Sequence, residues 1–236
     1  RISPMDSIVK EANKPILLID HHLQPDSFEC MLHDVKSSST CELIYRFIEI
    51  MDALPSINIE IAQCIYTGLL TDTGNFQNGA TNKNVFLIVA DLMERGLNLQ
   101  FVQQNLNQNG TESKLRFLGN TLLNKMTVRA DLGIAFLVVD KKDAKTYNLK
   151  SGDTEGLVNF PLTIKDIDIS VLIKEERELT KLSFRSKGDI DVNEFARAHF
   201  EGGGHKNAAG GKSILPPDWI IKKIIELIEK SKKKNK

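Results

Sequence analysis

The sequence predicts an α/β protein built in two domains, and three observations carry that expectation. The run "KPILLID" is short and almost unbroken in apolar residues, the signature of a strand buried on both faces. The segments after it repeat their apolar residues at helical spacing. Beyond Met126 the texture changes to alternating runs typical of strands, so a second, sheet-containing domain is expected from about residue 127.

Each element follows in order. In "SSSTCELIYRFIEIMDAL", Ser39 and Glu42 make a capping box, and Leu43, Ile44, Phe47, Ile48 and Met51 then recur on one helical face. "INIEIAQCIYTGLL" reads as a further helix that ends in the loop "TDTGNFQNGAT". "NKNVFLIVADLMERG" is a helix closed by Gly96, and "TESKLRFLGNTLLNKM" is a connecting helix placed at residues 109–126. In the second domain "GIAFLVVD" is a strand. "DIDISVLI" alternates, with Ile167, Ile169, Val171 and Ile173 on one face. "LTKLSFRS" sets Leu182 and Phe184 against Lys181, Ser183 and Arg185. A glycine-rich stretch and the amphipathic helix "DWIIKKIIELIEK" complete the chain before a basic tail, "KSKKKNK", read as solvated.

Composition narrows the function classes. The 236 residues carry 31 basic and 31 acidic side chains, so net charge demands neither nucleic acid nor a membrane surface as partner. The three cysteines, Cys30, Cys41 and Cys64, form no CxxC pair, which argues against a disulfide framework and a structural zinc site. No stretch has the ~20 apolar residues of a membrane span, and no signal peptide is evident. A soluble cytoplasmic protein is expected. Because the chain opens on Arg1, it is also expected to belong to a longer one.

Four local features can carry chemistry. Asp20-His21-His22 stands at the carboxyl end of the first strand, where ligands bind in open α/β sheets. Imidazole ligates metals, and a neighbouring carboxylate can fix its tautomer. A plain polar strand end is the other reading. Asp72 lies between two threonines in "GLLTDTGNF", which also suits an ordinary turn. "GGGHKNAAGG" lets backbone approach an anion closely and adds His205, or else it is a flexible loop. Arg185, in "SFRSKG", matches phosphate oxygens with parallel donors, though many strand-end arginines are merely solvated.

In order and spacing these segments resemble the DHH phosphoesterases that carry a DHHA1 domain, of the nanoRNase and adenosine 3',5'-bisphosphate phosphatase type. "LIDHH" with "SSSTCE" is similar to the family's third motif and "GLLTDTGNF" to its fourth. "LSFRSKG" and "EGGGHKNAAGG" are similar to the DHHA1 signatures. The resemblance implies the C-terminal part of a parallel-sheet α/β DHH domain over residues 1–108, a linker helix over 109–126, and a smaller α/β DHHA1 domain over 127–236. It implies two divalent metal ions, manganese or alternatively magnesium, with His21 and Asp72 as ligands. His22 would contact the scissile phosphate and Asp20 would orient it. Arg185, Ser186, His205 and the backbone of Gly202, Gly203 and Gly204 would hold the substrate. The implied substrates are short oligonucleotides and nucleoside bisphosphates, with a homodimer left open. The family's first two metal-binding motifs have no counterpart after Arg1, so residues 1–236 alone are expected to be inactive. Two alternatives stay open: a nucleotide- or RNA-binding fragment without catalysis, and a phosphoesterase for polyphosphate, pyrophosphate or cyclic dinucleotides.

Overall fold

A computed structural model describes residues 5–23, 25–77, 81–108 and 110–234. Part of the loop expected after residue 70, at residues 78–80, and the end of the basic tail lie outside the described residues. The chain divides into two compact units, Arg1–Asn109 and Gly110–Lys236.

The first unit begins with the short helix α1, Asp6–Glu11, and strand β1, Leu17–Asp20. A second strand, β2 (Cys30–His33), pairs parallel to β1 and sets Asp20 opposite His33. The sequence reading missed β2, whose four residues give too little periodicity. It also overstated the burial of β1. Leu17 is 43% exposed, because β2 and helix α2 shield the strand only in part.

Helix α2, Thr40–Ile50, is capped by the Ser39 hydroxyl, which accepts from the Glu42 N–H at 3.1 Å. The reciprocal arm of the expected capping box is displaced by one residue. The Glu42 carboxylate takes the N–H of Ser38 at 2.6 Å. This ties down the buried run Ser37–Ser38–Ser39. Ser39→Ala is expected to cost about 1 kcal/mol of stability, readable as a lower denaturant midpoint at unchanged m. No change in midpoint would mean that the displaced Glu42 bond holds the helix start unaided.

Helix α3, Ile59–Asp72, is held beside α2, and Gly68 permits the approach, since a Cβ there would run into the Cys41 side chain. Helix α4, Lys83–Glu94, ends as expected at Gly96 in the left-handed region, and α5, Leu99–Asn107, was not foreseen. Tyr66, Leu69, Leu70, Val85 and Leu92 form the core of these helices.

At its edge, Asp91 accepts two bonds from Arg95, at 2.6 and 3.0 Å, and one from the Tyr45 hydroxyl at 2.8 Å. The Arg95 bonds hold the Asp91 carboxyl below the usual range. A carboxyl depressed in the folded state stabilises fully above its unfolded value near ~4, and that contribution is lost as pH falls through the folded value. Asp91→Asn is therefore expected to lower the melting temperature at pH ~7 and to flatten its decline below pH ~4. Melting curves across that range test it. An unchanged acid slope would remove Asp91 as the titrating group.

The second unit is a six-stranded sheet in the order β3-β4-β5-β6-β8-β7. Its strands are β3 (Met126–Arg129), β4 (Ile134–Val139), β5 (Ile169–Glu175), β6 (Thr180–Ser186), β7 (Gly203–His205) and β8 (Ala208–Ser213). Only β4 and β5 run parallel. Two helices cover one face over Phe136, Val171, Ile173, Leu182 and Phe184: α8 (Val192–His199) and α9 (Pro217–Lys234). Burial of such side chains contributes about 1.5–3 kcal/mol each. The other face buries Leu137 and Leu172 beneath α6 (Glu112–Asn124) and the 3-10 segment Leu157–Thr163, and a short helix, α7 (Lys141–Thr146), follows β4. Helix α6, expected as a connector, inserts Phe117 at 1% exposure into this layer, so the structure places it inside the second unit.

Candidate metal and phosphate sites

Strand β1 ends at Asp20 and the chain turns at once. Asp20 Oδ1 accepts the His22 backbone N–H at 3.2 Å and His22 Nδ1–H at 2.6 Å. From β2, His33 Nε2–H donates to the His22 carbonyl at 2.8 Å, fixing the turn from the other strand. His21 points inward and is 8% exposed. Its Nδ1–H donates to the Ser37 carbonyl at 3.1 Å. A carbonyl can only accept, so this bond puts a proton on Nδ1, and in the neutral ring the lone pair is then on Nε2. That Nε2 stands 3.5 Å from Asp72 Oδ2.

Asp72 occupies the last turn of α3, not the loop that the sequence suggested. The flanking threonines extend the helix. Thr71 and Thr73 hydroxyls donate to the carbonyls of Thr67 and Leu69, at 2.9 and 2.6 Å. The chain then reverses through Gly74, Asn75 and Phe76, all with positive φ.

The donor chemistry here fits a divalent cation. In the neutral Nδ1–H tautomer, His21 Nε2 and Asp72 Oδ2 are both ligand atoms and face each other across 3.5 Å. Nitrogen and carboxylate ligands each approach such ions at about 2.0–2.2 Å, so one ion can satisfy both. The sequence reading missed the groups that orient these side chains, His33 and the Ser37 carbonyl. Arg46 braces their segment, donating to Asp34 Oδ2 at 3.0 Å and Ser37 Oγ at 3.4 Å. A backbone carbonyl has no side-chain signature by which to find it.

In the second unit, strand register assembles a row. Ser170 on β5 lies opposite Arg185 on β6, Arg185 opposite Ala208 on β8, and Ala208 opposite His205 on β7. Directly paired residues share a face, so Arg185 and His205 stand on one face with the small Ala208 between them. Two strand spacings separate them, about 10 Å. Arg185 donates from Nη1 to the Phe184 carbonyl at 2.9 Å and has no carboxylate partner among the described residues. Burial pushes its guanidinium below the ordinary value. A desolvated cation without a counter-ion favours an incoming anion.

The glycine-rich segment is a β-hairpin, β7 and β8 joined at Lys206 and Asn207, and not a flexible loop. Its glycines answer to packing. A Cβ on Gly202 would strike the backbone of Gly210 and Gly211, and one on Gly204 that of Ala208 and Ala209. The Gly204 N–H already donates to Asn193 Oδ1 at 2.8 Å, so it is engaged within the fold. Ser186 is engaged likewise. Its hydroxyl donates to the Ile190 carbonyl at 2.6 Å and accepts from Asn207 Nδ2 at 2.9 Å. These bonds brace the hairpin turn.

Fold and sites together describe an α/β protein with a donor pair suited to a divalent cation in one unit and an anion-receptive row in the other. The family model for the DHHA1 domain matches residues 111–233. The chain belongs to the DHH phosphoesterases that carry a DHHA1 domain. It is similar to the probable bifunctional oligoribonuclease and PAP phosphatase NrnA of Streptococcus mutans, 26% identical over 220 residues, covering 87% of this chain and 69% of that protein. Against NrnA of Bacillus subtilis the identity is 27% over 198 residues, covering 83% and 61%. The crystal structure of an exopolyphosphatase-related protein from Bacteroides fragilis superposes with a TM-score of 0.91 at 35% identity, covering 98% of this chain and 68% of that one. The chain thus spans roughly two thirds of the length of these relatives. Among the described residues no helix is long and apolar enough to cross a membrane.

Proposed function

We propose that this protein is a metal-dependent phosphoesterase that hydrolyses short oligoribonucleotides and nucleoside 3',5'-bisphosphates, with manganese as the preferred ion and magnesium as the alternative. The observation that carries the reading is the His21 Nε2 and Asp72 Oδ2 pair at 3.5 Å, with the His21 proton drawn to the Ser37 carbonyl. The choice of substrate is supported by the similar proteins, which are called oligoribonucleases and PAP phosphatases.

His21 and Asp72 are the residues that would hold a divalent ion. Such an ion, when bound, lowers the pKa of a water and neutralises charge on phosphoryl oxygens. His22 is held by Asp20, whose carboxylate accepts from Nδ1 and fixes the orientation of the ring. That pairing suits His22 to contact a phosphate and to give a proton to the leaving oxygen. Arg185 and His205 grip a phosphate or sugar of the substrate from the sheet of the second unit.

Metal removal tests the reading. The full gene product is expected to hydrolyse a dinucleotide only with manganese or magnesium supplied, and to lose that activity on chelation. Calorimetry should show manganese binding that weakens by about tenfold or more in Asp72→Ala. Hydrolysis indifferent to chelator, or manganese binding unchanged by the substitution, would overturn it. Binding of adenosine 3',5'-bisphosphate with no hydrolysis under any metal would point instead to a nucleotide-binding role.

A further inference from the structure

A cavity of about 740 Å³ opens in the second unit between α8, α9 and the sheet. Its floor is apolar: Ile134, Val171 and Phe184 lie beneath it, each fully buried. Its walls include Leu132, Ile190, Phe195 and Leu227. The Phe195 ring sits 5.8 Å from Phe184 and 5.0 Å from His199. None of this belongs to the phosphate row. Phe184 and Arg185 are neighbours on β6 and therefore face opposite sides of the sheet.

The lining also carries more acidic than basic side chains. Asp131, Asp166, Asp168 and Asp191 contribute to it, against Lys165 as the sole lysine. Register explains their convergence. Ile134, Ile169 and Ser186 are paired across β4, β5 and β6, so the loops before β4 and β5 and after β6 meet at one end of the sheet. Asp131 is bound by Arg129 at 2.6 and 2.8 Å, and Asp191 caps α8 by accepting from the Glu194 N–H at 2.9 Å. Asp166 and Asp168 are exposed and make no ion pair among the described residues.

We infer that this cleft is a binding site for a small aromatic amine, its ring against Phe195, Leu132 and Leu227 and its protonated nitrogen at Asp166 and Asp168. The volume falls in the range of small-molecule pockets, and the apolar floor with a few convergent polar groups is their usual make-up. The carboxylates select for a cation, and the Phe195 ring adds attraction for one. The same charges exclude phosphates, so this ligand is distinct from anything held at Arg185.

Heteronuclear NMR of the full chain, titrated with phenethylamine, phenethyl alcohol and hydrocinnamate, tests the inference. The amine should shift resonances of Leu132, Ile190, Phe195 and Leu227 saturably, about fivefold more tightly than the alcohol, and hydrocinnamate should leave them unmoved. The double variant Asp166→Asn, Asp168→Asn should bring the amine down to the affinity of the alcohol. Leu227→Trp, which fills the cleft, should abolish both. Equal binding of all three compounds, an amine preference that survives the double variant, or no saturable shift at these residues would overturn it. Asp166 and Asp168 are exposed, so their variants decide the matter even where Leu227→Trp fails to fold.

Discussion

His21→Ala in the full gene product is expected to reduce manganese-dependent hydrolysis of a dinucleotide by about a hundredfold or more. Loss of a group that merely orients a ligand costs 10–100-fold as a rule, and removal of the ligand itself costs more. The substitution acts twice. It deletes the Nε2 donor facing Asp72, and it leaves the Ser37 carbonyl without the N–H it accepts. The second loss should lower stability by about 1–3 kcal/mol, so melting temperature must be followed beside kinetics. A folded variant whose activity partly returns at raised manganese would identify lost metal affinity as the cause. Activity within a few-fold of the parent at ordinary manganese would remove His21 from the metal site.

Arg185→Ala is expected to raise KM by about 10- to 150-fold, the equivalent of one charge-assisted contact worth 1.5–3 kcal/mol, with kcat little changed. Arg185 stands on the sheet of the second unit, in a row with Ala208 and His205, and no carboxylate competes for it among the described residues. On the proposed function its task is grip. Arg185→Lys should recover only part of the loss, because an ammonium keeps the charge without the planar fork. Steady-state kinetics with a dinucleotide separate the outcomes. A collapse of kcat at unchanged KM would place Arg185 in the chemistry.

Where the chain repeats its apolar residues with a clear period, local structure was legible. Strands β4, β5 and β6 and helices α2, α3, α4, α6 and α9 all announce themselves in this way. Helices α5 and α8 do not, because their apolar residues are few and short-range. Strands β7 and β8 are less legible still. "GGH" and "AAGGKS" have low strand propensity, and they pair because glycine lets backbone close on backbone where Gly202 and Gly204 meet β8. The same glycines invite a phosphate-loop reading. Only the Asn193 bond to the Gly204 N–H reveals how far they serve the fold.

The sequence by itself determined the α/β class, the change of texture near Met126, and the motifs that hold Asp20, His21, His22, Asp72, Arg185 and His205. These are properties of residues and their near neighbours, and the 3.6- and 2-residue periods write them locally. The tertiary structure alone decided that Asp72 belongs to the end of α3, that α6 joins the second unit, and that Arg185 and His205 share a row. It also decided which nitrogen of His21 carries the proton. Register and tautomer depend on partners distant along the chain, such as Ala208 beside Arg185 and the Ser37 carbonyl beside His21, and no local period encodes them.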